Sequence, residues 1–316
     1  MKIQVLSDTH VGLSGAKVAS ELFLNAIEDM NENIKPYAIF VLGDLTNDGM
    51  LSQYSEYKNI RSRSIVPLER WHEVAGNHDV DYDGDINRFN AQIGPTYHSW
   101  SIGNLIFIFL SDESGVGISG RIGSSARTFT ENIVQNNPDK NIFICHHHPV
   151  VGTVGYSTTA GYGLESDSDS WAKNLIQNNP NIAAWLCGHI HVGVRGDGSY
   201  PWHVNKYGAE FINVSKVTYN STLSGTTPSI SRLLQFRNGS KTVVVKFRNH
   251  EKREWVEEEE YTFELPFEVE GVPEEEAPPT PAPEVTDLTW ITGATLSIII
   301  LAEFLRILHR ERIRKS

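Results

Sequence analysis

The chain has 316 residues, a net charge of −12 and two cysteines, Cys145 and Cys187. That length can bury a sizeable core in one or two domains, and two cysteines that each close an apolar run (FIC, WLC) argue against a disulfide scaffold and fit a reducing compartment. The acid is concentrated in residues 251–276, which carry −10, whereas residues 1–250 carry −3, so the body has no basic run for nucleic acid and none is expected as a partner.

Met1 leads directly into KIQVL, which reads as a strand, with no apolar signal segment. It ends at Ser7-Asp8. Residues 16–33 carry apolar side chains at helical spacing. YAIFVL (37–42) is a second strand, ending at Gly43-Asp44. WHEVA (71–75) is a third, ending at Gly76-Asn77. NLIFIFL, NIFIC and IAAWLC repeat the scheme further on. Continuous apolar runs suit strands covered on both faces, and helices between them suit an α/β fold. After about residue 195 the pattern changes. EFINVSKVTY, SRLLQF, KTVVVKF and EYTFELPFEV alternate like antiparallel strands, with turns such as Asn238-Gly239. Gly- and Ser-rich stretches at 111–125 and 152–170 follow strands and are candidates for substrate-facing loops.

The composition divides the chain into a catalytic domain (1–270), an acidic, proline-rich linker (271–287), an apolar helix (288–308) and a basic tail (309–316). Five of the eleven residues from Pro273 to Pro283 are proline, which makes the linker extended at about 3.1 Å per residue. If Glu303 and Arg306 pair, the segment 288–308 spans about 31 Å, enough for a bilayer core. It is expected to anchor the protein to a membrane or, as an amphipathic helix, to join copies into a homo-oligomer. The basic tail favours the cytoplasmic side of a membrane, which would put the catalytic domain outside. The missing signal segment opposes that, and the expectation is a membrane-associated protein with a cytoplasmic catalytic domain.

Polar donors sit where the strands end: Asp8 and His10 in SDTHVG, Asp44 in GDLTNDG, Asn77, His78 and Asp79 in GNHD, His147 in HHHP, and His189 and His191 in GHIH. In open α/β sheets ligands bind at the carboxyl ends of strands. Seven of these at five such ends, Asp8, His10, Asp44, Asn77, His147, His189 and His191, form a pool of oxygen and nitrogen donors that points to metal. Mixed imidazole and carboxylate ligands without cysteine suit two ions of Mn, Fe or Zn, divalent or mixed-valence. Two ions bridged by one carboxylate are a usual device for attacking a phosphate ester with a hydroxide made near neutral pH. Strand alternation would put His189 and His191 on one face, and Asp8 and His10 likewise, while turning His146 and His148 away from His147. A protonated His78 beside phosphate could stabilise the crowded phosphorus and give a proton to the leaving oxygen. His72, His98, His250 and His309 have no motif context, and His203 is within reach of the site in principle.

The ordered set DTH, GDLTNDG, GNHD, H-x-P and GHIH resembles the calcineurin-like metallophosphoesterase superfamily over about residues 1–250. The resemblance implies a four-layer α/β/β/α sandwich of two mixed sheets. It implies one metal on Asp8, His10 and His191, a bridge at Asp44, and a second metal on Asn77, His147 and His189. The family's ligand precedes proline by two positions, which selects His147. His78 would sit beside the phosphate, with Asp79 orienting it. GDLTNDG is similar to the class III cyclic-nucleotide and glycerophosphodiester phosphodiesterase branch. Asn47 stands where purple acid phosphatases carry tyrosine, and the motifs lack the arginines of protein phosphatases. The expected activity is hydrolysis of a small or lipid-linked phosphodiester. A phosphomonoesterase and a membrane-tethered metal-binding scaffold with little activity are the alternatives.

Overall fold

A computed structural model describes residues 1–13, 18–80, 84–113, 117–191, 201–218, 221–222, 225–226 and 228–274. The apolar segment 288–308, the basic tail and most of the linker lie outside the described residues. Among the described residues no helix is long and apolar enough to cross a membrane.

The strands are β1 (Lys2–Leu6), β2 (Ala38–Leu42), β3 (Trp71–Val74), β4 (Tyr97–Ile102), β5 (Leu105–Leu110), β6 (Asn141–His146), β7 (Ile182–Cys187), β8 (His203–Lys206), β9 (Ala209–Asn213), β10 (Ser221–Thr222), β11 (Gly225–Thr226), β12 (Ile230–Gln235), β13 (Thr242–Asn249), β14 (Glu254–Trp255) and β15 (Tyr261–Glu264). The helices are α1 (Ala19–Asp29), α2 (Leu51–Arg61), α3 (Ile86–Gln92), α4 (Ser124–Asn136) and α5 (Ser166–Asn178). β10 and β11 form a two-stranded pair of their own; of the two large sheets, one has the order β14-β13-β12-β1-β2-β3, with β15 also on β13, and the other has the order β4-β5-β6-β7-β9-β8. Both are mixed. β1, β2 and β3 are parallel and β12 joins β1 antiparallel. β5, β6, β7 and β9 are parallel, with antiparallel β4 and β8 at the edges.

Side chains alternate along each strand, and this builds the layers. Phe40 and Leu42 of β2 join Phe107, Phe109 and Phe143 of the second sheet in one core, with Phe40 4.9 Å from Phe109 between ring centroids. Ile39 and Val41, on the other face of β2, meet Phe23 and Ile27 of α1 and Tyr54 and Tyr57 of α2. Val134 of α4 and Ile176 of α5 belong to the core of the second sheet. Polar pairs are buried outside the site as well. Asp29 accepts two bonds from Arg248 and one from His250, which accounts for that histidine.

Several elements differ from the sequence expectation. β9 is fully buried and pairs antiparallel with β8 on one side but parallel with β7 on the other. β4 and β8 are half-exposed edges whose sequences, YHSWSI and HVNK, lack the long apolar run of a covered strand. EYTFELPFEV makes only the strand β15, because Pro266 carries no N–H for the ladder. α1 begins at Ala19 and ends in a wide turn, Met30–Ile34.

His72 on β3 and His98 on β4 bring the edges of the two sheets together, with Nδ1 and Nε2 3.3 Å apart. Both rings stack on Phe109. Burial, with the neighbouring His98, holds His72 down at about 3, and burial holds His98 at about 4. Both values lie below the unfolded value near 6.5, so the pair stabilises fully above pH ~6.5. As pH falls toward 4 the unfolded chain takes up protons that the fold refuses, at most ~1.4 kcal/mol per pH unit for each ring. Urea unfolding between pH 7 and 4.5 should show this slope, and it should be shallower in His98→Phe.

Candidate metal centre

β1, β2, β3, β6 and β7 end at the same side of the sandwich, and the turns that follow them carry the expected donors. Five of these residues sit in the left-handed backbone region: Asp8 (φ +55), His10 (+42), Asp44 (+50), His189 (+64) and His191 (+47). For non-glycine residues this costs roughly 1–2 kcal/mol each and persists only where neighbours enforce it. Here the Asp8 N–H donates to the Gly43 carbonyl at 3.0 Å, the His10 N–H to the Asp44 carbonyl at 2.9 Å and the His189 N–H to Asp8 Oδ2 at 3.1 Å. The strand-alternation argument therefore fails for these pairs. β1 stops at Leu6 and β7 at Cys187, so it is turns beyond the strands that aim the side chains.

The side chains converge in four overlapping groups: Asp8, His10 and His191; His10, Asp44 and His78; Asp8, Asp44 and His147; and His147, His148 and His189. In each group one candidate ligand atom per residue lies within 4.8 Å of the others, as holding a metal ion requires. His191 Nε2 lies 2.8 Å from Asp8 Oδ1, and His147 Nε2 3.1 Å from Asp44 Oδ2. His10 Nε2 lies 3.6 Å from Asp44 Oδ2. The Asn77 side-chain oxygen is buried without a hydrogen-bond partner, as are both His10 nitrogens and His189 Nε2. Buried polar atoms left unpaired are costly, and a cation that binds them removes the cost.

The electrostatics agree. Burial works to raise Asp8, yet the adjacent His191 ring brings its carboxyl down to about 2. Burial likewise works to raise Asp44, but His147 and His78 hold it well below the ordinary carboxylate range. Burial would lower His147, and Asp44 instead lifts it to about 10. Two buried carboxylates thus make a focus of negative potential that draws positive charge. Two glycines let the groups close up: a Cβ on Gly76 would lie 2.2 Å from Asp44 Oδ1, and one on Gly43 2.5 Å from His147 Nδ1.

Asp79 does not orient His78. The His78 ring is fixed by donation from Nδ1 to the Asn47 carbonyl at 2.8 Å, and the backbone N–H of His78 donates to Asp44 Oδ1. The Asp79 carboxylate instead accepts from the backbone N–H groups of Leu45, Thr46 and Gly76 and from the Thr46 hydroxyl. It ties together the turns after β2 and β3. Burial and the neighbouring Asp44 push its carboxyl up to about 7, against the pull of those bonds.

Of the three consecutive histidines, His146 joins none of the groups. His148, expected to point away, faces the site, with its ring centroid 4.1 Å from that of His189. It lies just beyond the end of β6, where the pleat no longer governs direction. His203 stays outside the groups, stacked on Tyr261 at 3.7 Å with Nδ1 3.4 Å from Glu210. Asp112, buried near His148, went unmarked in the sequence. The available signal was that β5 ends in Leu-Ser-Asp, as β1 does.

The profile of the calcineurin-like phosphoesterases matches residues 1–193. The chain belongs to this family. As a calcineurin-like phosphoesterase it is a metal-dependent phosphoric ester hydrolase with a candidate dinuclear site of His and Asp residues. No curated protein sequence matches it. Among solved structures, a dimetal phosphatase from Danio rerio is 13% identical, with a TM-score of 0.61 over 84% of this chain and 98% of that one. The purple acid phosphatase PPD1 from yellow lupin (Lupinus luteus) seeds is 13% identical, with a TM-score of 0.59 over 83% of this chain and 53% of that one. At that identity the likeness concerns the fold.

Two outcomes follow for this phosphoesterase. Mn²⁺ or Zn²⁺ at a hundred times its Kd should stabilise the fold by about 2.7 kcal/mol, read as a rise in Tm that EDTA reverses. Asp79→Ala strands buried donors and should cost about 3 kcal/mol in urea unfolding. Full stability with lost turnover would instead assign Asp79 to the chemistry.

Proposed function

We propose that this phosphoesterase hydrolyses a small or lipid-linked phosphodiester, with Asp8, His10 and His191 holding one ion, Asn77, His147 and His189 a second, and Asp44 between them. The observation that carries this reading is the pairing of Asp8 and Asp44 within reach of the same imidazoles. Such donors suit Mn, Fe or Zn, which when bound supply Lewis acidity to the phosphoryl group and acidify the attacking water.

The protein's own groups do the rest. The Asn47 carbonyl and Asp44 hold the half-buried His78 at the edge of the cluster, with its ring 4.6 Å from that of His10. Protonated, it would stabilise charge on the phosphoryl oxygens and give its proton to the leaving oxygen. A diester is favoured over a monoester by charge. Among the described residues, the charged groups that most strongly set Asp8 are His191, His147 and Asp44, and those that set Asp44 are His147, His78 and His10. A diester brings one negative charge and needs less cationic help than a monoester dianion. The likeness of GDLTNDG to the class III phosphodiesterase branch supports the same choice. The segment 288–308 would tether the catalytic domain at a membrane, where a lipid-linked substrate is found.

Aryl esters with Mn²⁺ test this. The bis-aryl phosphate should turn over much faster than the mono-aryl phosphate, and the reverse order would make the enzyme a phosphomonoesterase. His78→Ala should lower kcat by about 10²–10⁴-fold at unchanged metal content. Equal loss of metal and turnover would remove the proton-donor role.

A further inference from the structure

The three histidines of ICHHHPV differ in what their ring nitrogens do. His146 spends a lone pair on the backbone, its Nδ1 accepting the His148 N–H at 2.9 Å. His147 donates its Nδ1 proton to the Leu42 carbonyl at 2.7 Å and turns Nε2 toward Asp44. A histidine that gives one N–H to a carbonyl and makes no hydrogen bond at its other nitrogen has the form of a metal ligand.

His148 has the same form with the ring reversed. Its Nε2 lies 3.1 Å from the Ile118 carbonyl oxygen. A carbonyl only accepts, so Nε2 carries the proton and Nδ1 the lone pair. Nδ1 is buried and makes no hydrogen bond. Asp112 Oδ2 lies 3.7 Å from it, too far for a hydrogen bond and itself rich in electrons. A buried ring nitrogen without a partner is costly, and a cation that binds it removes the cost. The rings of His147 and His189 lie beside that of His148, 4.9 and 4.1 Å away between centroids. One nitrogen each from His147, His148 and His189 lies within 4.8 Å of the other two. Gly120 gives the ring its room, since a Cβ there would lie 2.4 Å from the His148 ring.

We propose that His148 is a further metal ligand, so that the second cation sees three imidazoles, from His147, His148 and His189. This rests on the metal-pair reading above. It also gives the two positions different characters. The first, with Asp8, His10 and His191 beside Asp44, is richer in carboxylate, whereas the second is richer in nitrogen and would favour Zn²⁺ over Mn²⁺ more strongly.

The test uses the full chain loaded with Co²⁺. Each ligating imidazole should give one strongly shifted, exchangeable N–H resonance in proton NMR. His148→Gln should lose one of these resonances while still binding two ions. Its preference for Zn²⁺ over Mn²⁺ at the second position should fall about tenfold or more. His148→Cys, which offers a thiolate in place of the ring, should gain a thiolate-to-cobalt charge-transfer band. An unchanged set of shifted resonances in the glutamine variant would overturn the proposal. So would a folded, cobalt-loaded cysteine variant without that band. A wild-type protein that binds no cobalt would overturn the metal pair itself and His148 with it, whereas two ions in both wild type and variant with identical spectra would overturn His148 alone.

Discussion

Two carboxylates that repel each other are held together in a dry interior. Asp8 and Asp44 are both essentially unexposed, and their oxygens lie within 4.8 Å of one another and of a His147 nitrogen. At an effective dielectric near 20, two such charges repel by about 3 kcal/mol, before the cost of removing each from water. Left-handed backbone at Asp8 and Asp44 adds strain. A fold tolerates this concentration of unfavourable terms only when surrounding structure enforces it and positive charge offsets it. His147, lifted by Asp44, supplies part of that charge, and two cations of the kind the family chemistry implies would supply the rest.

The enforcement comes from both sheets. The first contributes Asp8, His10, Asp44, Asn77 and His78 at the ends of β1, β2 and β3. The second contributes His147, His148, His189 and His191 at the ends of β6 and β7. The aromatic core between the sheets, with Phe40 against Phe107 and Phe109, therefore sets the spacing of the site as well as the stability of the fold. Short polar ties fix the turns locally. Asp79 joins the turns after β2 and β3, the Ser7 hydroxyl donates to the Leu42 carbonyl, and the Asn213 side chain donates to the Gly188 carbonyl. Each of these three holds backbone that carries the site's side chains.

Much of this was legible in the sequence. A strand covered on both faces must be apolar throughout, so its first polar residue marks where it leaves the sheet. KIQVL-SD, YAIFVL-GD and IAAWLC-GH announce the rim of the site in that way. Edge strands give no such signal, and YHSWSI and HVNK were invisible because solvent on one side relaxes the demand for apolar residues. The parallel pairing of β9 was hidden for a related reason. A short buried run is compatible with either direction, and its neighbour β7 decides.

The sequence by itself determined the strand ends and the donor types, because both follow from which residues tolerate burial and which atoms bear lone pairs. Tertiary structure decided which donors face one another and through which atom. Strand alternation misdirected His148 because turns, not pleats, carry these residues. Asp79 looked like a partner for its neighbour but is spent on backbone from another turn. The tautomer of His147 is set by Leu42, 105 residues away. A ring nitrogen's role depends on the group opposite it, and only the folded chain brings that group within reach.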